Sequence, residues 1–152
     1  MTKPPFVPGQ FVWCRFPYFE APLSPGDKER IVYVADVRQK AGQQIFTVMS
    51  LYTTTTRWEP GVPLPKGIIP ITGVAATKMN QKPFVIDARK IAFIPATDEF
   101  FPRLRTPGSA VVYSAPAAFR RHIESVLAEL AQRPDLLELL GPHAPGPRRR
   151  GR

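Results

Sequence analysis

Two groups in this chain have the residue types and spacing for phosphate chemistry. A lone arginine, Arg30, opens one apolar segment, and four consecutive hydroxyls, Thr53 to Thr56, close the next. A guanidinium presents a planar fork of donors that matches phosphate oxygens and stays charged at any physiological pH, and a threonine hydroxyl donates to the same oxygens. Further groups suited to a polyanion stand close by in sequence. Arg15, Lys28, Thr55 and Arg57 offer donors, and Trp58, beside Arg57, offers a flat face on which a base could stack.

Other chemistries find little here. Cys14 is the single cysteine, which excludes an internal disulfide, and with only His122 and His143 beside it no Cys/His zinc site can be assembled. Cys14 lies inside an apolar strand pattern and reads as buried packing. Asp98 and Glu99 are adjacent and make no acid/base or metal pair by spacing. His122 falls at the margin of a helical apolar face and reads as a half-buried packing residue, and His143 falls in the tail. No metal ligand set and no cofactor are expected.

The elements that must position Arg30 and the threonines are short, because 19 prolines interrupt 152 residues. That punctuation favours a mainly β body. Strands are predicted over Gln10 to Phe16, Arg30 to Val37 and Gln44 to Tyr52, the last two joined through a turn at Gln39 to Gly42. The connection Pro17 to Glu29 is long for a hairpin and reads as a functional flap. From Arg57 to Gln81 the pattern is irregular, with I-I-P-I as a short edge strand. Lys82 to Asp87 and Lys90 to Ile94 read as two strands, or as one bent at Ala88 and Arg89, and Ser109 to Tyr113 as a final strand.

One helix is predicted from Pro116 to Gln132, N-capped by Ser114 and stopped by Pro134. Its apolar face is Phe119, Ile123, Val126, Leu127 and Leu130. Residues 1–8 are expected to be extended and mobile, residues 9–132 to form the domain, and residues 133–152 to give a short turn and a disordered basic tail. A hydrophobic fraction of 43% suits one ordinary core. Apolar stretches such as Ile31 to Ala35 fall far short of the roughly 18 residues of a membrane span, and the N-terminus has no apolar signal region, so a cytoplasmic protein is expected.

The formal net charge is +9. Arg148, Arg149, Arg150 and Arg152 account for part of it, yet the body stays basic without them. Such an excess favours polyanions through phosphate neutralisation and counterion release, with nucleic acid first among them.

Taken in order, G-x-x-V-W-C-x-F-P, an arginine opening an apolar strand, and an apolar strand ending Y-T-T-T resemble the PemK/MazF family of type II toxins. The later stretch G-V-A-A-T-K-M-N-Q-K-P-F-V-I-D-A-R-K-I-A-F-I-P is similar to that family's later segment, and the resemblance spans about Pro8 to Leu130. It implies a small SH3-like β-barrel with a C-terminal α-helix, usually a homodimer. It also implies metal-independent cleavage of single-stranded RNA by 2′-hydroxyl attack, and silencing by an acidic antitoxin. The family's catalytic pair falls on Arg30 and Thr54, with Thr53 the next choice in the threonine run. The family commonly has proline after the arginine, where this chain has Ile31. Two other readings compete: a noncatalytic nucleic-acid-binding SH3-like module, and a CcdB-like poison of DNA gyrase. The latter type has an apolar, tryptophan-containing C-terminus, whereas this chain ends R-R-R-G-R.

Overall fold

The computed structural model describes residues 3–39, 42–55, 61–71, 73–106 and 108–145. They form one mainly β unit with strands β1 (Gln10–Cys14), β2 (Arg30–Gln39), β3 (Phe46–Thr54), β4 (Ile68–Pro70), β5 (Val85–Pro95), β6 (Val111–Ser114) and β7 (Glu138–Leu140). Two helices, α1 (Gly73–Lys78) and α2 (Ala117–Ala131), complete it. The strand order is β4-β5-β3-β2-β1-β6, antiparallel throughout, and β7 runs parallel to β5. Among the described residues β4 and β6 end the sheet without pairing to one another, so it is not closed into a barrel.

Both faces of the sheet are covered, which is why β2 and β3 read as nearly continuous apolar runs. Alternate residues feed two separate cores. Phe11, Ile31, Tyr33 and Leu51 point to the side covered by α1 and α2. Val12, Cys14, Val32, Val34 and Val48 point to the other, which Phe6, Phe100 and Phe101 fill. Phe6, in the segment expected to be extended and mobile, is 2% exposed and packs its ring on Phe101 at 5.1 Å. Cys14 is fully buried, as packing requires. On α2, Ile123 and Leu130 are buried and Phe119, Val126 and Leu127 pack at the edge of the same core, the face read from the sequence. Each fully buried branched side chain there contributes roughly 1.5–3 kcal/mol.

Several expectations need correction. Ser114 does not cap α2, because it belongs to β6, and the N-cap is Pro116 with no side-chain cap bond. His122 is exposed on α2, not half-buried. Residues 134–140 form a 3₁₀ turn, Pro134–Leu136, followed by β7, whose Glu138, Leu139 and Leu140 pair with Lys90, Ile91 and Ala92. The alternatives left open for Lys82 to Ile94 resolve to one bent strand. Tyr52 of β3 pairs with Asp87 and Leu51 with Ile91, so residues 88–90 have no β3 partner, and Ala88 donates its N–H to Gly67 instead.

The short helix α1 was not foreseen, and it positions part of the site described below. It ends in a Schellman-type turn: Asn80 N–H donates to Thr77 O at 2.9 Å and Gln81 N–H to Ala76 O at 2.8 Å. Asn80 takes the left-handed conformation that this turn needs, with φ 57°. No helix among the described residues is long and apolar enough to cross a membrane.

Two acidic groups are buried in the sheet as neutral species. Burial pushes the Tyr33 phenol up to about 12, against a smaller pull from Arg120, and burial pushes the Cys14 thiol well up, opposed by Arg30. The folded chain therefore keeps protons that the unfolded chain loses above the ordinary values of 9.0 for the thiol and 10.0 for the phenol. Stability is fully present below those values and falls as pH rises past them, by about 1.4 kcal/mol per pH unit for each such group. Urea midpoints are expected to decline from pH 9.0 upward, and the decline should begin nearer 10.0 in Cys14→Ala. A midpoint that rises over this interval contradicts the burial of both groups.

Candidate functional site

At the end of the sheet where β2 begins and β3 ends lies a cavity of about 570 Å³. Because β2 and β3 are antiparallel, with Tyr33 opposite Leu51, the start of one strand necessarily meets the finish of the other. Arg30, Thr53, Thr54 and Thr55 all border the cavity as a result. A second set arrives from α1, whose terminal turn delivers Asn80, Gln81 and Lys82 to the opposite rim. Trp13 of β1 and Phe84 supply apolar wall.

Arg30 is held in a defined orientation. Its Nη1 donates to the Thr53 carbonyl at 2.9 Å, and its guanidinium lies over the Tyr52 ring, 4.6 Å from the centroid. The bond to Thr53 uses one of five guanidinium donors. Among the described residues Arg30 belongs to no ion pair. Its sequence neighbour Glu29 pairs elsewhere, Oε2 accepting from Arg103 Nε at 2.9 Å. Lys90 Nζ approaches the same Tyr52 ring, 5.0 Å from its centroid, and adds a second cation beside the site.

The threonines differ in burial. Thr53 is 7% exposed, and its Oγ1 donates to the Ile31 carbonyl, which leaves that oxygen only acceptor capacity. Thr54 is half-buried and Thr55 exposed, both on the cavity wall. Both threonines named for catalysis border the cavity, and Thr54 is the more exposed of the two. Ile31, where the family commonly has proline, is buried and serves this arrangement through its carbonyl.

Glu29, like Asn80, Gln81 and Lys82, is a cavity residue that sequence reading missed. It borders the cavity, and its carboxylate is fixed by Arg103, whose guanidinium stacks over Trp13 at 4.3 Å. Trp13 is half-buried, with its ring at the margin of the core and part of the cavity wall, so it combines packing with an aromatic surface at the site.

Other residues named from the sequence lie elsewhere. Arg15 and Lys28 do not border the cavity. The Arg15 backbone fixes the base of the Pro17 to Glu29 connection, donating to Phe100 O at 2.7 Å and accepting from Gly26 at 3.3 Å. Gly26 is needed there, since a Cβ would stand 2.3 Å from the Phe16 carbonyl oxygen. Thr56, Arg57 and Trp58 lie outside the described residues. Among the described residues no group of three or more His, Cys, Asp or Glu side chains could hold a metal ion.

The arrangement has defined chemical capacity: an oriented guanidinium, hydroxyls, an amide pair and an ammonium for an oxyanion, a carboxylate for a proton, and an aromatic wall for a planar ring. Comparison of the chain with protein-family models, with curated proteins and with solved structures yields no match.

Proposed function

We propose that this protein is a metal-independent endoribonuclease that cuts single-stranded RNA, built on an opened SH3-like sheet of the PemK/MazF kind and acting as the growth-inhibiting toxin of a toxin–antitoxin pair. The observation that carries the reading is the meeting of Arg30, Thr54 and Glu29 around one cavity in a strongly basic chain. In this mechanism the ribose 2′-hydroxyl attacks the adjacent phosphorus, the P–O5′ bond breaks, and the products are a 2′,3′-cyclic phosphate and a 5′-hydroxyl. Glu29 takes the 2′ proton, and the leaving 5′-oxygen requires one, so the carboxylate relays a proton without net consumption. Negative charge gathers on the equatorial oxygens, where Arg30 and Thr54 donate; preorganised donors of this kind contribute on the order of 3–4 kcal/mol each. Trp13 offers its face to a base, and Lys82 a charge to a neighbouring phosphate.

By the same reading the protein is a homodimer restrained by an acidic antitoxin. The connection Pro17 to Glu29 is the surface it would cover, since it leads into Glu29 and Arg30 and exposes Tyr18, Phe19 and Leu23. It is anchored near its middle, with Pro22 O accepting from Gly141 N–H at 2.8 Å, so it presents a formed surface to a partner.

Purified protein is expected to cleave single-stranded RNA in excess EDTA and to leave cyclic phosphate ends, read by mass spectrometry of the fragments. Activity that depends on added magnesium, or fragments with 5′-phosphates, would contradict this mechanism. RNA binding without any cleavage would favour a noncatalytic nucleic-acid-binding module on the same sheet.

A further inference from the structure

A second cavity, of about 410 Å³, lies at the other end of β2 and β3, and the chain builds it by three separate devices. The first is a register shift in β2. Between Val34 and Asp36 the ladder to β3 slips by one residue, so that Asp36 comes opposite Met49 and Arg38 opposite Thr47. An extra residue at such a point re-aims every side chain that follows, and here it sends Asp36 and Arg38, rather than Ala35 and Val37, into the cavity wall. The second device is β7, which carries the C-terminal segment onto β5. The third is Gly141. It has φ 97° and stands so close to β5 that a Cβ would lie 2.3 Å from the Phe93 carbonyl oxygen, which only glycine accommodates.

Beyond that turn, His143 N–H donates to Phe93 O at 3.0 Å, and the His143 imidazole Nδ1 meets Thr47 Oγ1 at 2.6 Å. A residue that sequence alone assigns to the tail is thereby fixed on the sheet. The hydroxyl–imidazole pair can present a donor and an acceptor in either order, because both groups change roles with the imidazole tautomer. Gln39 adds an amide with both functions at the rim. Half-buried Met49 and Phe93 form an apolar wall beneath these polar groups. Arg38 stands at the mouth, its side chain 84% exposed, in a 2.6 Å contact with Asp36. An exposed pair of that kind is weak, so the guanidinium can exchange the carboxylate for a phosphate.

We propose that this cavity binds a single nucleotide, with its base against Met49 and Phe93, the base edge read by Thr47, His143 and Gln39, and its phosphate held by Arg38. Apolar and aromatic wall with a few convergent polar groups is the composition that small planar ligands select, and an aromatic face with an arginine beside it is the combination that binds a base and its phosphate. The assignment stands apart from the cleavage reaction. The two sites lie at opposite ends of β3, six residues and roughly 20 Å apart by strand rise.

The chain carries its own internal control, because its only other histidine, His122, is exposed on α2. The test is an NMR titration of the full chain with adenosine, guanosine, cytidine and uridine monophosphates, each to about 10 mM, the weak end of specific affinity. At least one nucleotide is expected to shift the His143 ring signals saturably and leave His122 unmoved. Arg38→Ala should weaken that binding about tenfold or more by removing a charge-assisted contact. Thr47→Val, which suits a strand and keeps the fold, should weaken it by a similar factor. Inorganic phosphate alone should not reproduce the shift. A short oligoribonucleotide that shifts His143 at lower concentration than the mononucleotide identifies RNA as the source of the ligand, and equal or weaker binding identifies the free nucleotide. No saturable shift with any of the four, a shift fully reproduced by phosphate, or parallel movement of both histidines overturns the proposal. Cleavage is scored on the same samples: a chain that cuts RNA while His143 ignores nucleotides refutes this site alone, and one that binds nucleotides without cutting RNA refutes the nuclease alone.

Discussion

Replacing Arg30 by alanine is expected to lower RNA cleavage by about 100-fold or more, the scale of a lost oxyanion donor, while the chain remains folded. The guanidinium is held by the Thr53 carbonyl and by the Tyr52 ring, so its removal takes away a prepositioned charge. It opens no hole in either core, because Arg30 is only half-buried. Thr54→Ala should reduce turnover on the same scale. Thr53→Ala tests the register, since its hydroxyl bonds the Ile31 carbonyl in a buried setting. Leaving that carbonyl unsatisfied costs on the order of 1–3 kcal/mol, so this variant should lose stability more than rate, and the Thr54 variant rate more than stability. The measurements are single-turnover cleavage at saturating RNA and urea midpoints for all three. Wild-type turnover in the Arg30 variant would remove Arg30 from the mechanism and leave a binding module as the better account.

The parts of this architecture that could be read from the chain are those set by local pattern. The apolar runs at Gln10 to Cys14, Arg30 to Val37 and Phe46 to Tyr52 are strands because period and β-propensity agree there, and those strands alone bring Arg30 to the threonine run. What escaped depends on longer-range or smaller features. The α1 helix has six residues, too few for a helical period to show, and its stop signal is one left-handed Asn80 inside M-N-Q-K. The β7 strand exists only because β5 offers it an edge, and nothing local to Glu138–Leu140 announces a parallel partner so distant in sequence. Ser114 looked like a helix cap by composition, but pairing with Gln10 of β1 places it in a strand. Closure into a barrel was expected from the family resemblance, whereas the pairings leave β4 and β6 as separate edges. Glu29 was overlooked for a simpler reason. Neighbouring an arginine, it invites an ion pair in the reading, yet its partner is Arg103, far along the chain.

That geometry makes Glu29 the sharpest single test of proton transfer. Glu29→Gln preserves size and a hydrogen-bond acceptor for Arg103, so the Arg103 stack on Trp13 and the cavity wall should survive. What it removes is the capacity to take a proton, a contribution of about 10²–10⁴-fold in positioned acid–base catalysis. The expected result is a fall in turnover of at least about 100-fold, accompanied by RNA affinity that is unchanged or tighter. The sign of the affinity change follows from charge: Glu29 is an anion beside a site for phosphate, and neutralising it relieves repulsion toward the substrate. A purely structural role predicts the opposite pattern, in which lost packing weakens binding and lowers the urea midpoint together. Arg103→Ala completes the comparison, because it frees the carboxylate and removes a nearby positive charge, and should lower both turnover and affinity. An RNA carrying a single 2′-deoxyribose at the cleavage site should bind every variant and be cut by none of them, since the nucleophile is absent. If Glu29→Gln cleaves at the wild-type rate, the base is elsewhere and the carboxylate serves only to hold Arg103 over Trp13.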